Sequence, residues 1–346
     1  MPSANPSAIA TAHPAVPVLP ADVVVFGEAL VDMFPEKPGL PLEEVEHFVR
    51  HLGGAPCNLA VNLCRQGVRA ALYTMVGTDA FGRFVQRQLA SEGVVTDSIG
   101  AHKSARTGVT FVSVSATGGR SFLFYRHPSA DMLISPADIE AARVSRGRVF
   151  HFGSSTLSRE PARAATHKAL ELATRQRGRK LVSCDVNLRP HLWPEFREAP
   201  PLVRQLLGRC DLVKLTREEL LPLCGTENLE AAAAAVRKLG PTVVVITLGE
   251  SGSYLDCPAG QAFFAAESVA VVDKTGAGDA YSAGLISGIL GQLGGPGPDD
   301  LRERLRALTL EQLKRACLRG NHLGARACTA IGATAGVPRL EGAAWV

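Results

Sequence analysis

The sequence predicts an α/β protein: a mostly parallel sheet with helices on both faces and a small β lid. Three observations predict it. Val-rich apolar runs of strand length recur along the chain and alternate with stretches of helical spacing, as in wound β-α-β units. One interval, between Gly100 and Ser129, breaks that alternation with two segments of alternating polarity. The chain has 346 residues, 46% of them hydrophobic, enough to bury a large core.

The elements follow in order. "DVVVFGEALVD" is a continuous apolar run followed by a small-residue turn, and reads as a buried parallel strand with functional residues at its carboxyl end. "GGAPCNLAVNLCRQG" reads as a loop entering a helix that Gly67 closes, "AALYTMVGTD" as a strand, and "AFGRFVQRQLASEG" as a helix with its own terminal glycine. "TGVTFVSVSATGGRSFLFYRH" reads as a hairpin turning at Gly118 and Gly119, to which "LPLEEVEHFVRHLGG" adds a strand, so the lid falls near 35–50 and 104–128. Strands then return at "RVFHFGSS", "KLVSCDVN", "CDLVKLT" and "PTVVVITLG", with helical segments such as "NLEAAAAAVRKLG" between them. "ESVAVVDKT" reads as a last strand leading into the helix "DAYSAGLISGILGQL", and "GQLGGPGPDD" as a surface loop before the final helices. The main domain spans 21–338, between a flexible tail at 1–20 and a short one at 339–346.

A net charge of +4, with basic and acidic residues interspersed, gives no sign of nucleic-acid binding. The eight cysteines are isolated in apolar surroundings and form no CxxC pair, so they read as buried thiols of a cytoplasmic protein. The first twenty residues lack the basic head and unbroken apolar core of a signal peptide, and nowhere is an apolar run long enough to cross a bilayer.

The chemistry concentrates in "VVDKTGAGDAYSAG". Gly276 and Gly278 can adopt angles closed to other residues, so successive N–H groups can point into one concave space, where the helix start adds unpaired donors and partial positive charge. Asp279 stands beside that space in the first helical turn. An anion cradle next to a fixed carboxylate suggests phosphoryl transfer with the acid as proton acceptor; a plain glycine turn capped by aspartate is the bland reading, and the local string does not choose between them. Asp32, Asp185, Asn187, Arg189, Glu219, Thr247, Gly249, Asp273 and Asp279 all follow predicted strands and so should gather on one sheet edge. In "ITLGESGSYL", Thr247, Gly249 and Gly252 suit close backbone approach to a nucleotide, or a simple β-turn. There is no GxxxxGK[ST], which excludes a Walker-type loop; "GGAPCN" lacks the third glycine of a dinucleotide fingerprint. His47 and His51 have no third ligand nearby and read as surface or lid residues, and Ser154 and Ser155 lack a GxSxG elbow.

The ordered set "GEALVD", "GGAPCN", "DVNLRPHLW", "VKLTREEL", "ITLGESGSY" and "DKTGAGDAYSAG" resembles the PfkB, or ribokinase-like, family of carbohydrate kinases, from about Asp22 to Pro338. The resemblance implies a nine-stranded Rossmann-like core with a β lid, ATP as donor, Mg²⁺ as helper and a monosaccharide as acceptor, with the fructokinase branch most similar and a 2-dehydro-3-deoxygluconokinase, a ribokinase or nucleoside kinase, or a catalytically silent sugar-binding regulatory protein as the alternatives. By position it implies that Asp279 is the catalytic base, that Gly276, Ala277 and Gly278 form the anion hole, and that Asp32, Gly53, Gly54 and Asn58 contact sugar. Thr247, Gly249 and Gly252 match nucleotide contacts, with Asn321 near adenine; Asp273 and Thr275 fall where some members hold a monovalent cation such as K⁺. The metal-associated N-x-x-E motif is here Thr216-Arg217-Glu218-Glu219, which keeps the acid, Glu219, for an indirect role toward Mg²⁺. Lys274 stands where threonine is commoner and is expected either to touch phosphate or to face solvent, with solvent favoured. Arg126 and Arg189 are expected near sugar and phosphates, or in structural ion pairs. Lid strands in this family often pair two subunits, which implies a homodimer.

Overall fold

The computed structural model describes residues 17–37, 39–114, 120–126, 128–176, 178–295 and 300–340. The expected turn at Gly118 and Gly119, most of the N-terminal tail, the centre of the Gly/Pro-rich loop and the last six residues lie outside them.

Nine strands form the main sheet: β1 (Val23–Phe26), β4 (Ala70–Gly77), β5 (Ile99–His102), β8 (Val149–Gly153), β9 (Leu181–Asp185), β10 (Leu212–Thr216), β11 (Val243–Thr247), β12 (Ser253–Cys257) and β13 (Gly260–Phe264). Their spatial order is β13-β12-β11-β10-β9-β8-β1-β4-β5. Every pair from β5 to β11 is parallel, and the β12–β13 hairpin closes one edge antiparallel. A separate four-stranded sheet, in the order β3-β2-β6-β7, uses β2 (Leu30–Pro35), β3 (Phe48–Gly53), β6 (Gly108–Val114) and β7 (Arg120–Tyr125). This is the lid.

The helices are α1 (Ala55–Arg65), α2 (Ala80–Ser91), α3 (Ala141–Ser145), α4 (Ala162–Thr174), α5 (Ala199–Leu207), α6 (Leu220–Cys224), α7 (Leu229–Arg237), α8 (Ala277–Leu293), α9 (Leu301–Arg306) and α10 (Leu310–Ala327). Strand side chains alternate between two cores. Val23 and Val25 pack with Leu59 and Leu63 of α1, Leu285 and Ile289 of α8 and Leu313 of α10, whereas Val24 and Phe26 pack with Leu170 of α4, Val203 of α5 and Val236 of α7. Strands covered on both faces read as unbroken apolar runs, which is why the sequence shows them so clearly. Helix α8 is apolar nearly all round because it is buried between the sheet and α10.

Two strand expectations are corrected. The expected core strand, β1, ends at Phe26, but the chain beyond the small-residue turn forms a second strand, β2, which begins at Leu30 in the other sheet. The break falls at Gly27, where a Cβ would stand 2.4 Å from Pro56 Cγ, so α1 packs against bare backbone there. Asp32 therefore lies within a lid strand rather than after a core strand. "ESVAVVDKT" is not a strand. The amides of Val272 and Asp273 donate to Cys328 O at the end of α10, at 2.8 and 3.2 Å, and Val271 and Val272 are exposed. The sheet edge that the segment would have joined is made by β12 and β13.

All eight cysteines are free thiols. Among the described residues no helix is long and apolar enough to cross a membrane.

Candidate active site

The carboxyl ends of β9, β10 and β11, the start of α8 and the underside of the lid converge on one cleft, with Asp279 at its centre. Gly276 takes a left-handed conformation (φ 74°) as the residue before α8, and Asp279 stands in the first turn. A Cβ on Gly276 would lie 2.4 Å from Ala333 O, so glycine is required both by the angle and by the neighbouring loop. The amides of Ala277, Gly278 and Asp279 thus begin a 17-residue helix with no side-chain cap, a ready anion site.

Asn58, on α1, donates its Nδ2–H to Asp279 Oδ2 at 2.8 Å. Its Oδ1, buried, meets no partner among the described residues, which leaves an acceptor for a ligand hydroxyl. Burial pushes the Asp279 carboxyl up to about 6, and Asp185 adds to the shift; the Asn58 hydrogen bond, Lys214 and Arg189 oppose it. A carboxylate titrating near 6 is ionised at neutral pH and still basic enough to accept a proton.

Asp32, on β2, is buried, and its carboxyl is pushed up to about 7 by that burial; Asp279 and Glu28 add to the shift, while Thr110, its register partner on β6, opposes it. A Cβ on Gly53 would fall 2.3 Å from Asp32 Oδ1, so the β3 glycine makes room for that carboxylate. Gly54 (φ 95°) then turns the chain into α1 over the Glu28 carbonyl. Because the folded-state value of Asp32 is raised, its contribution to stability is full below the unfolded value near 4 and is lost as pH rises through 7. Asp32→Asn is therefore expected to raise the melting temperature at pH 8 and change it little at pH 4, read by calorimetry; equal shifts at both pH values would refute the assignment.

On the other side of the glycine loop a cavity of about 510 Å³ is lined by Thr247, Gly249, Gly252, Lys274, Gly278 and Asn321, among others. Its size suits a nucleotide. Gly249 (φ 60°) and Gly252 (φ 115°) turn β11 into β12, and a Cβ on Gly252 would strike Phe264 O at 2.1 Å. Asn321 donates to Phe264 O and Ala265 O at 2.9 and 3.1 Å, which ties α10 to the end of β13. Lys274 is exposed at the cavity rim.

Asp273 Oδ1 accepts from Thr275 N and Oγ1, and its Oδ2 from Gly332 N at 2.8 Å, so it ties the entry to α8 onto the chain after α10. Both oxygens of buried Glu219 accept backbone amides, from Leu188 at 2.6 Å and Thr216 at 2.8 Å. Burial and then Asp185 push its carboxyl up to about 7. With both oxygens already accepting, Glu219 suits contact with a hydrated metal better than direct ligation.

Arg126 forms a buried pair with Asp131, donating Nε–H at 3.1 Å and a further terminal N–H, so of its two expected roles the structure shows the ion pair. Arg189 is exposed beside the cleft. His191, two residues on, stacks on Phe124 of the lid with centroids 4.6 Å apart, which joins lid to core.

Sequence reasoning passed over two residues as site members. Glu28 accepts from Ser155 Oγ and from Ala55 N at 3.3 Å, fixing the start of α1; Lys214 pairs with Asp185 at 3.0 Å. Their signal was position, since each lies on or just beyond a core strand that feeds the cleft.

A lidded α/β core with a nucleotide-sized cavity and a buried carboxylate on opposite sides of a helix-start anion site defines a phosphotransferase. Residues 20–340 match the family described as pfkB family carbohydrate kinase, and the chain belongs to it. It is 37% identical over 269 residues to fructokinase-2 of Solanum habrochaites, covering 78% of this chain and 81% of that protein. Among solved structures it resembles a double mutant of the fructokinase from Vibrio cholerae O395 in fructose, ADP and potassium ion bound form, with TM-score 0.79, 32% identity and coverage of 92% and 95%. It also resembles aminoimidazole riboside kinase from Salmonella enterica complexed with aminoimidazole riboside and an ATP analog, with TM-score 0.74, 30% identity and coverage of 92% and 96%.

Proposed function

We propose that this carbohydrate kinase transfers the γ-phosphate of ATP to a hydroxyl of fructose. The observation that carries the reading is the pairing of Asp279 with Asn58 at the start of α8, between the lid carboxylate Asp32 on one side and the 510 Å³ cavity on the other. Fructose sits between lid and strand ends, its hydroxyls held by Asp32 and Asn58, with Gly53 and Gly54 admitting it. ATP occupies the cavity of Thr247, Gly249, Gly252 and Asn321, its γ-phosphate toward Gly276, Ala277 and Gly278. The lid excludes water, a competing acceptor. Asp279 takes the hydroxyl proton as the oxygen attacks in line, while the loop amides offset the charge on the transferred group. Mg²⁺, which suits Glu219 through water, supplies charge neutralisation on the phosphates when bound. A monovalent cation suits the Asp273 and Thr275 oxygens at the entry to α8.

The fructokinase likeness and the intact glycine loop support this acceptor and this chemistry. The eight free thiols support a reducing, cytoplasmic setting. Phe122, Leu123 and Tyr125 on the outer lid strand are exposed, Tyr125 by 64%, and support lid-to-lid pairing in a homodimer. Light scattering of the full chain measures that.

A coupled ADP-release assay across fructose, ribose, 2-dehydro-3-deoxygluconate, adenosine, inosine and aminoimidazole riboside tests the acceptor. Fructose is expected to give the highest kcat/KM. A nucleoside, ribose or the sugar acid outcompeting it reassigns the acceptor, and no ADP release with any compound makes the chain a silent sugar-binding protein.

A further inference from the structure

Lys214 has no part in the mechanism above, yet it lies at its centre. The side chain is buried, with 5% of the residue exposed, and Nζ donates to Asp185 Oδ2 and Oδ1 at 3.0 and 3.2 Å. A Cβ built on Gly278 would stand 2.9 Å from that nitrogen, so the ammonium lies directly against the middle of the glycine loop. A buried ion pair is weak evidence for stability, since desolvation offsets most of its attraction. Its position is more informative than its energy.

The groups facing Asp279 come from several elements: Asn58 on α1, Asp185 on β9, Lys214 on β10, Arg189 after β9 and Asp32 on the lid. Glu219 also acts on Lys214. Asp185, Glu219 and Asp279 would present three carboxylates to an incoming phosphate, and Lys214 is the cation buried among them. Desolvation by itself would lower the Lys214 ammonium, but Asp185 and then Glu219 outweigh it and hold the group above its ordinary value, so it stays charged at neutral pH.

We infer that Lys214 is a positioning residue for phosphoryl transfer, its ammonium anchored by Asp185 against Gly278 so that the carboxylate cluster is balanced where the anion must arrive. The inference rests on the kinase reading. It separates two roles that a buried lysine can have, since a purely structural lysine would leave the base unaffected by its charge.

The test uses the full-length enzyme as Lys214→Met, as Asp185→Asn, and as both together, with kcat, both KM values, melting temperature and the pH profile of kcat measured for each. Lys214→Met is expected to lose about 100-fold in kcat, with sugar KM within a few-fold of wild type, and its acid limb should move to higher pH. Asp185→Asn should move the limb to lower pH, and the double variant should fall between. Opposite movements support the electrostatic role even if melting temperatures drop, because loosened packing that admits water would lower the Asp279 carboxyl and so move the limb to lower pH in both variants. An unmoved limb in Lys214→Met, with wild-type enzyme active, overturns the proposal on Lys214. Wild-type enzyme inactive with every acceptor overturns the kinase reading beneath it.

Discussion

Asp279→Asn is expected to lower kcat by about 10²- to 10⁴-fold, the range a positioned general base supplies, while the ATP dissociation constant stays within about threefold of wild type. The split follows from geometry. The carboxylate faces Asn58 and the sugar side, whereas the cavity beyond the loop is lined by Ala277 and Gly278 and not by residue 279. Asparagine keeps the shape and an acceptor for the Asn58 amide, so the start of α8 should hold. It also removes an acid whose burial raises it to about 6, so stability above that pH should not fall. Wild-type kcat should rise with pH through an acid limb near 6 as the base ionises, and the variant should lack that limb. Steady-state kinetics from pH 5 to 9 with isothermal titration of ATP decide it: a variant retaining more than about a tenth of wild-type kcat rejects Asp279 as the base.

The loop that carries this prediction was legible at Gly276 because the requirement there is a backbone one; Gly278, expected to share it, lies in the first turn of α8 without a left-handed φ and leaves room for Lys214 instead. A left-handed Gly276 before an apolar helix leaves the same mark in sequence whatever the rest of the molecule does. The core strands were legible for a similar reason, since burial on both faces enforces continuous Val and Leu. Reading failed where that signal was shared by two different environments. "DVVVFGEALVD" is largely apolar on both sides of its turn because β1 is buried in the core and most of β2, a lid strand, is buried as well, and periodicity cannot show that the chain changes sheets after Gly27, where Pro56 packs. "ESVAVVDKT" has strand composition, but the β12–β13 hairpin holds the edge, so tertiary context overrides propensity. Lys214 and Glu28 were hidden by a different limit. Each works through partners distant in sequence, Asp185 and Gly278 for the lysine and Ser155 for the glutamate, and no local string encodes those approaches.

Gly53→Ala shows how much such an approach can control. Glycine at 53 is needed for space rather than conformation: its φ lies outside the left-handed range, and as the last residue of β3 it pairs in register with Leu30. One added methyl would sit 2.3 to 2.5 Å from three atoms of the Asp32 carboxyl group, inside any permissible contact, so the carboxylate must swing away. Misplacing a substrate-holding group by about 1 Å can cost on the order of 100-fold. Sugar kcat/KM is therefore expected to fall at least 100-fold, with ATP KM changed less than about threefold, because the nucleotide cavity contains neither residue. The strand should survive, since the backbone angles at 53 are open to alanine and the clash is with a side chain, and circular dichroism should match wild type. A variant that keeps sugar KM within a few-fold would show that Asp32 is free to move without loss, and the assignment of that buried lid carboxylate to the sugar would have to be abandoned.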